Sequence, residues 1–245
     1  MHDRTCLVTG ASRGIGRAIA EELGSRGASV AVNYRSADEK AAETVDAVEA
    51  AGGEAIPARA DVSDSDAVEA MAEHVHDELG SVDVLVNNAG ITRDTRFDEM
   101  SRADWEAVID VNLTGAFTTT KAFYEDLMAA GDGRLINISS VIARQGNYGQ
   151  ANYAAAKSGL FGFTRSIAKE LAPHGTTANC VAPGYTRTEM VEAVREDIKE
   201  AIREDIPLDR FAEVEEIASV VGFLAGEEAS YVTGEVIDAN GGMAP

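Results

Sequence analysis

The residues most able to do chemistry are the turn Thr9-Gly10-Ala11-Ser12-Arg13-Gly14-Ile15-Gly16 and the pair Tyr153 and Lys157. The turn follows an apolar, strand-like run and opens a helical pattern. In that setting Gly10 permits a tight turn, Gly14 lets the backbone approach a pyrophosphate, and Gly16 allows close helix–strand packing. The helix N-terminus adds N–H donors and a positive dipole suited to phosphate. A glycine-rich turn alone is often a plain loop, so the strand before it and the helix after it carry the inference. Tyr153 and Lys157 stand four residues apart on a predicted helix and share one face. A free phenol ionises near about pH 10, too high for efficient proton transfer at neutrality. A nearby ammonium, or the positive ring of an oxidised nicotinamide, favours the phenolate and brings that value down.

Further polar residues cluster at the ends of predicted strands. Ser140 follows the fifth strand, where its hydroxyl can hold a carbonyl oxygen or cap a helix. Asn112 sits at a break in a long helical pattern; it can anchor a water that resupplies protons through Lys157, or satisfy a kink. Asn87-Asn88-Ala89-Gly90 follows the fourth strand. Its small residues would let backbone lie against a flat adenosine, although read alone the tetrapeptide is a turn. The second strand ends Asn33-Tyr34-Arg35-Ser36, with no acid before Asp38. NAD-specific strands of this kind usually end in an acid that bonds the ribose 2′-hydroxyl. Arg13 and Arg35 instead suit a 2′-phosphate, which a planar guanidinium binds bidentately. The plainer alternative leaves both arginines solvated.

The elements that must position these residues alternate regularly. Strand-like runs at 6–9, 28–33, 55–59, 82–86, 135–138, 177–181 and 236–238 are separated by helical patterns at 15–25, 37–51, 63–79 (with Ser63 as cap), 101–130, 153–171, 191–203 and 214–224. Continuous apolar strands between helices imply an α/β, doubly wound parallel sheet covered on both faces. Right-handed crossovers bring every strand's C-terminal end to one edge, where ligands of such sheets bind. No linker or repeat divides residues 1–245, which are expected to form one dinucleotide-binding and catalytic domain. The irregular stretch at about 183–210 reads as a mobile flap over the site.

Composition narrows the function classes. The chain has 42 acidic and 21 basic residues, a net charge of −21, which is the wrong sign for a nucleic-acid binder. The acid is spread over helical segments, as at Glu192, Glu196 and Glu200. That pattern fits either well-solvated helix faces or adaptation to a salt-rich cytoplasm, where screening removes self-repulsion. No apolar run approaches membrane-spanning length, and the expected location is cytoplasmic. Cys6 and Cys180 read as small core residues, and the four histidines show no metal-ligand spacing.

Taken together, these motifs resemble the short-chain dehydrogenase/reductase family in order and spacing: the glycine turn, Asn87-Asn88-Ala89-Gly90, Asn112, Ser140, Tyr153-Ala-Ala-Ala-Lys157 and Pro183-Gly184. The resemblance implies a catalytic tetrad of Asn112, Ser140, Tyr153 and Lys157, with NADPH as cofactor. It places Asp61-Val62 beside the adenine and Pro183, Gly184, Thr186 and Thr188 near the nicotinamide. It also implies a homotetramer, for which Val108, Val111, Phe117, Phe123, Leu160, Phe161 and Phe163 are interface candidates. Within the family the chain is most similar to 3-oxoacyl reductases, whose substrate is an acyl thioester. Gly90-Ile-Thr-Arg-Asp94, Gly146-Asn-Tyr-Gly-Gln150, Pro183-Gly-Tyr185 and the flap from 190–195 to Ile206-Pro207 favour the acetoacetyl-CoA reductases of polyhydroxyalkanoate synthesis, with Gln150 and Tyr185 as substrate contacts. Thr186, Glu189 and Asn147-Tyr148 depart from that branch's usual residues. Reduction of acyl-carrier-protein thioesters is the nearest alternative. Other alcohol dehydrogenases, and a nucleotide sensor without turnover, are more distant.

Overall fold

Continuous apolar runs make strands that can be buried on both faces, and seven of them form one sheet. The computed structural model describes residues 1–192 and 195–244. Its first half runs β1 (Thr5–Val8), α1 (Gly14–Ser25), β2 (Ser29–Tyr34), α2 (Asp38–Ala50), β3 (Glu54–Arg59), α3 (Ser65–Leu79) and β4 (Val84–Asn87). The chain continues through α4 (Arg102–Ile109), a π-helical turn (Asp110–Thr114), α5 (Gly115–Ala122), α6 (Tyr124–Ala129), β5 (Arg134–Ile138), α7 (Ile142–Gln145) and α8 (Ala151–Leu171). It ends with β6 (Thr177–Pro183), α9 (Glu189–Glu192), α10 (Glu196–Glu204), α11 (Val214–Ala225) and β7 (Val236–Ala239).

The strand order is β3-β2-β1-β4-β5-β6-β7, and each neighbouring pair is parallel. This is the doubly wound α/β fold expected from the alternation. The order reverses between β1 and β4, where Val8 pairs in register with Val86. The glycine turn after β1 and Asn87-Asn88-Ala89-Gly90 at the end of β4 therefore lie side by side at the switch point. β1, β4, β5 and β6 are buried along their whole length. β3 mixes buried and exposed residues at the sheet edge, which is where Pro57 is tolerated. One face packs Ile19 and Leu23 of α1 and Ile217, Val221 and Leu224 of α11 against the strands; the other packs Val68, Met71 and Val75 of α3 with Phe123, Leu127 and Leu171.

Four details differ from the sequence expectations, each for a local reason. The cap of α3 is Asp64, whose carboxylate accepts from the Asp66 and Ala67 amides, while Ser63 donates to Asp61. The long helical pattern breaks at the expected place, the π turn that contains Asn112, and again, unexpectedly, at Phe123 between α5 and α6. The 191–203 pattern resolves into α9 and α10, with Arg195 extended between them (φ −58°, ψ 145°); residues 193 and 194 of the expected flap lie outside the described residues. Glu192, Glu196 and Glu200 thus do not form one helical ladder. An acidic ladder occurs instead on α3, where Glu69, Glu73 and Asp77 are exposed one turn apart.

The candidate interface residues also divide. Val108, Phe123, Leu160 and Phe161 are buried within the chain, filling space between helices and sheet, whereas Phe117 of α5 is 55% exposed. Cys6 and Cys180 are free and buried, and burial pushes both thiols up to about 12. Among the described residues no helix is long and apolar enough to cross a membrane, and no cluster of His, Cys, Asp and Glu could hold a metal ion.

Candidate active site

The switch point is held together by buried side chains. Gly10 adopts φ +63°, and a Cβ there would lie 2.9 Å from the Ala89 backbone. Gly16 has no room for a Cβ because the Asn88 amide and the Gly10 carbonyl occupy the space, so its constraint is against the turn itself rather than against a strand. Asn88 Nδ2 donates to the Thr9 carbonyl at 2.8 Å, and Thr9 Oγ1 accepts from the Asn88 and Ala89 amides. From the neighbouring strand, Asn33 Oδ1 accepts from the Gly10 amide at 3.1 Å while its Nδ2 bonds the Ala58 and Ala60 carbonyls. Asn33 was visible in the sequence only as the end of a strand.

A cavity of about 610 Å³ runs from this turn along the sheet edge. Gly10, Ser12, Arg13, Gly14, Ile15, Gly16, Arg35, Asp61, Val62, Asn88, Ala89, Gly90, Tyr153 and Thr188 all line it, as do Tyr34, Ser36, Ile91, Val111 and Glu189. Four expected cofactor residues do not. Lys157 is buried beneath the site, and Pro183 and Thr186 are buried in the chain. Gly184 lines a neighbouring cavity with Tyr185, because its own position is pressed against the Asn240 backbone.

The cavity fits a dinucleotide. Arg13 caps α1 with no side-chain bond to the first-turn amides, leaving those donors for a phosphate. Gly14 (φ +57°) brings its backbone to the cavity wall opposite Thr188. At the far end Arg35 lies 3.7 Å from Asp61 and Arg13 lies 3.7 Å from Glu189. Asp38 is already engaged, since the Tyr34 hydroxyl donates to it at 3.0 Å. Asp61 feels opposing influences: burial raises its pKa, but bonds from Ser63 and the charge of Arg35 bring it below the ordinary carboxylate value.

The four candidate catalytic residues converge at the inner end. The Ser140 hydroxyl faces the Tyr153 phenol and acts to lower its pKa, and Lys157 Nζ lies 5.8 Å from the centre of the Tyr153 ring. Burial raises the Tyr153 pKa above the ordinary phenol value, the Ser140 hydroxyl opposes this and the charge of Asp94 adds to it, so the lowering expected from Lys157 does not occur in the protein alone. Lys157 Nζ donates to the Ile138 carbonyl at 2.8 Å, and burial brings its pKa down to about 8. Asn112 Nδ2 donates to Ile91 and Val108 carbonyls, while its buried Oδ1 has no protein partner. That oxygen and Lys157 Nζ both approach Gly90, at 2.6 and 3.4 Å from where a Cβ would stand, so only glycine leaves the two groups open to each other. Ser140 also accepts from the Ile142 amide at 3.2 Å, so it braces the short helix α7 as well.

A polar layer under the site was not anticipated. Asn87 Nδ2 donates to Asn137 Oδ1 and Thr120 Oγ1, Thr119 donates to Asn87, and Asn137 donates to Thr164 on α8. The layer ties β4, β5, α5 and α8 together and fixes the helix that carries Tyr153. The two expected substrate contacts do not line this cavity: Gln150 donates to Asp94 at 2.8 Å, and the Tyr185 ring packs 6.3 Å from that of Phe211 beside the neighbouring cavity.

The geometry predicts a pH profile. As a proton donor Tyr153 would have to be protonated, and its pKa lies above the ordinary phenol value, while Lys157 is charged only below about pH 8. Turnover in the reducing direction should therefore hold steady near neutrality and fall up to about tenfold per pH unit as Lys157 loses its proton. A profile of kcat that stays flat through the Lys157 titration would remove the ammonium from the mechanism.

Comparison with known proteins agrees with this architecture. A family model described as enoyl-(acyl carrier protein) reductase matches residues 10–244. The chain is 46% identical over 240 residues to a 3-oxoacyl-(acyl-carrier-protein) reductase of Staphylococcus aureus, covering 98% of each. It is 47% identical over 241 residues to one from Synechocystis (98% of this chain, 96% of the relative) and 45% identical over 243 residues to one from Aquifex aeolicus (99% and 98%). With matches running along nearly its whole length, the chain belongs to the short-chain dehydrogenase/reductase family and is an oxidoreductase of its 3-oxoacyl reductase branch.

Proposed function

We propose that the protein uses NADPH to reduce the keto group of a 3-oxoacyl thioester, and that the thioester is borne by an acyl-carrier protein. The observation that carries this reading is the continuous cavity from the uncapped α1 N-terminus to the Tyr153 phenol, with Arg13 and Arg35 at its outer end. The whole chain then acts as one dinucleotide-binding and catalytic domain, with 183–210 as its substrate flap. The sequence stretches around Asp94, Gln150 and Tyr185 favoured acetoacetyl-CoA. The relatives are named as reductases of the carrier-protein ester, which favours that carrier over CoA.

When bound, the nicotinamide supplies the hydride. Ser140 orients the substrate carbonyl and Tyr153 donates the proton to its oxygen. Lys157 holds positive charge beside the phenol as its proton leaves, and Asn112 Oδ1 offers an acceptor beside Gly90 along which protons return. Tyr185 and Gln150 border the acyl group. The deciding measurement is a panel of 3-oxoacyl thioesters on both carriers with NADPH and NADH. We expect oxidation of NADPH with a higher kcat/KM for the carrier-protein ester. A higher value for the CoA ester would reverse the carrier assignment, and no oxidation with either would remove the activity.

Assembly and salt response belong to the same reading. Phe117 on α5 and Trp105 on α4 are exposed apolar groups on neighbouring helices, and burying them between copies suits a homotetramer. At −21, helices such as α3 repel themselves, each like-charge pair one turn apart costing about a few tenths of a kcal/mol at low salt. The Debye length shrinks from about 10 Å at 0.1 M salt to about 3 Å at 1 M. The melting midpoint and the tetramer content by light scattering should both rise toward molar KCl. A flat or falling midpoint would make the acid ordinary surface and withdraw the salt-rich cytoplasm.

A further inference from the structure

Every cation at the adenosine end of the cavity carries a carboxylate of the protein's own. Arg35 has Asp61, and Arg59 has Asp38 at 3.9 Å. Glu189 is different, because it holds two cations from separate elements. Its Oε1 accepts from Lys40 Nζ of α2 at 2.5 Å, and its Oε2 lies 3.7 Å from Arg13 of the glycine turn. Glu189 also lines the cofactor cavity beside Thr188. The pairing with Lys40, and next the charge of Arg13, hold its carboxyl below the ordinary glutamate value, so it is anionic at neutral pH. Lys40 was not among the residues expected at this site. It lies 149 positions from Glu189, and no local pattern marks it.

We propose that Glu189 is a built-in competitor for the cofactor's 2′-phosphate, and that Lys40 is a further phosphate ligand revealed when that phosphate displaces it. The argument is one of charge. A phosphate monoester dianion placed against Arg13 comes close to the Glu189 carboxylate, and two anions cannot share the same cations without repulsion. Either the carboxylate swings away, freeing both Lys40 and Arg13, or the phosphate binds weakly. A nucleotide with a free 2′-hydroxyl brings no charge there and leaves the Glu189 bridge intact. The bridge therefore taxes the phosphorylated cofactor selectively. It also keeps the two cations neutralised while the site awaits ligand. The inference rests on the dinucleotide reading of the cavity.

The test uses two probes, 2′,5′-ADP and ADP, titrated by calorimetry into the wild-type protein and into Glu189→Gln and Lys40→Gln. All of these changes lie on the exposed surface. We expect E189Q to tighten 2′,5′-ADP by about twofold to fivefold, the range for exposed ion pairs, with ADP unchanged. K40Q should weaken 2′,5′-ADP by a similar factor, again sparing ADP. If E189Q weakens 2′,5′-ADP, or shifts both probes equally, Glu189 is a ligand or a structural tie and the proposal is overturned. If neither probe binds the wild-type protein, the dinucleotide reading fails instead, and the two failures are thereby told apart.

Discussion

Tyr153→Phe should fold, bind nucleotide normally and lose roughly three orders of magnitude or more in kcat, the upper part of what a positioned acid contributes. The substitution removes one oxygen and leaves the ring in place. That oxygen faces Ser140, and in the proposed mechanism its proton is the one the carbonyl needs. Neither neighbour can replace it. Lys157 Nζ is turned to the Ile138 carbonyl, and an aliphatic hydroxyl such as that of Ser140 is too weak an acid to act alone. Nucleotide affinity should stay within about twofold, since the phenol's donor is aimed at substrate rather than at phosphate. Steady-state kinetics with a parallel nucleotide titration decide the matter. Retention of more than about a tenth of the wild-type kcat would mean that another group supplies the proton.

The double variant Arg13→Ala, Arg35→Ala should erase the proposed preference for NADPH over NADH. Charge-assisted bonds to phosphate are worth about 1.5–3 kcal/mol each, or roughly 10- to 150-fold in affinity. Both side chains are about two-thirds exposed, at 66% and 63%, so water and salt weaken them and the lower end applies to each. Together they should raise the KM for NADPH by about 30- to 100-fold while moving that for NADH by less than about threefold. No carboxylate at the end of β2 stands ready to reward NADH, because Asp38 is held by Tyr34. The variant should therefore become indifferent rather than reversed. Unchanged discrimination would place the 2′-phosphate elsewhere in the cavity.

The sheet was legible because its central strands are buried on both faces and so read as unbroken apolar runs. The glycine turn and Asn87-Asn88-Ala89-Gly90 were legible for a related reason: both must follow strands that meet at the switch point. Tyr153, Lys157, Ser140 and Asn112 became meaningful as a set, through their order along the chain, and the fold brings them to one end of the cavity. What escaped was whatever depends on contacts between distant segments. Asn33, Asn137 and Thr164 look like ordinary polar residues in strands and a helix. Their value lies in hydrogen bonds that cross from one element to another. α7 is only four residues long, too short for a helical period to show. The interface list erred because apolar residues on a helix do not announce which of two neighbours they face. Phe123 points to the sheet and Phe117, six residues earlier in α5, points out.

The π turn at Asp110–Thr114 sets a phase relation between the two helices it joins. It winds one extra residue into its loop, and a residue in an α-helix carries about 100° of rotation. α4 and α5 are thus geared to each other by a fixed angular offset, with Asn112 as the tooth. A side-chain change in either helix leaves the gearing alone. Closing the wide turn into a plain α-helix with the same number of residues would restore that residue's rotation and turn α5 relative to α4. The Thr119 and Thr120 hydroxyls, now directed at Asn87, would then swing off the polar layer beneath the site. Loss of the wide turn, rather than a change on the outer face of either helix, is therefore what should disturb that layer.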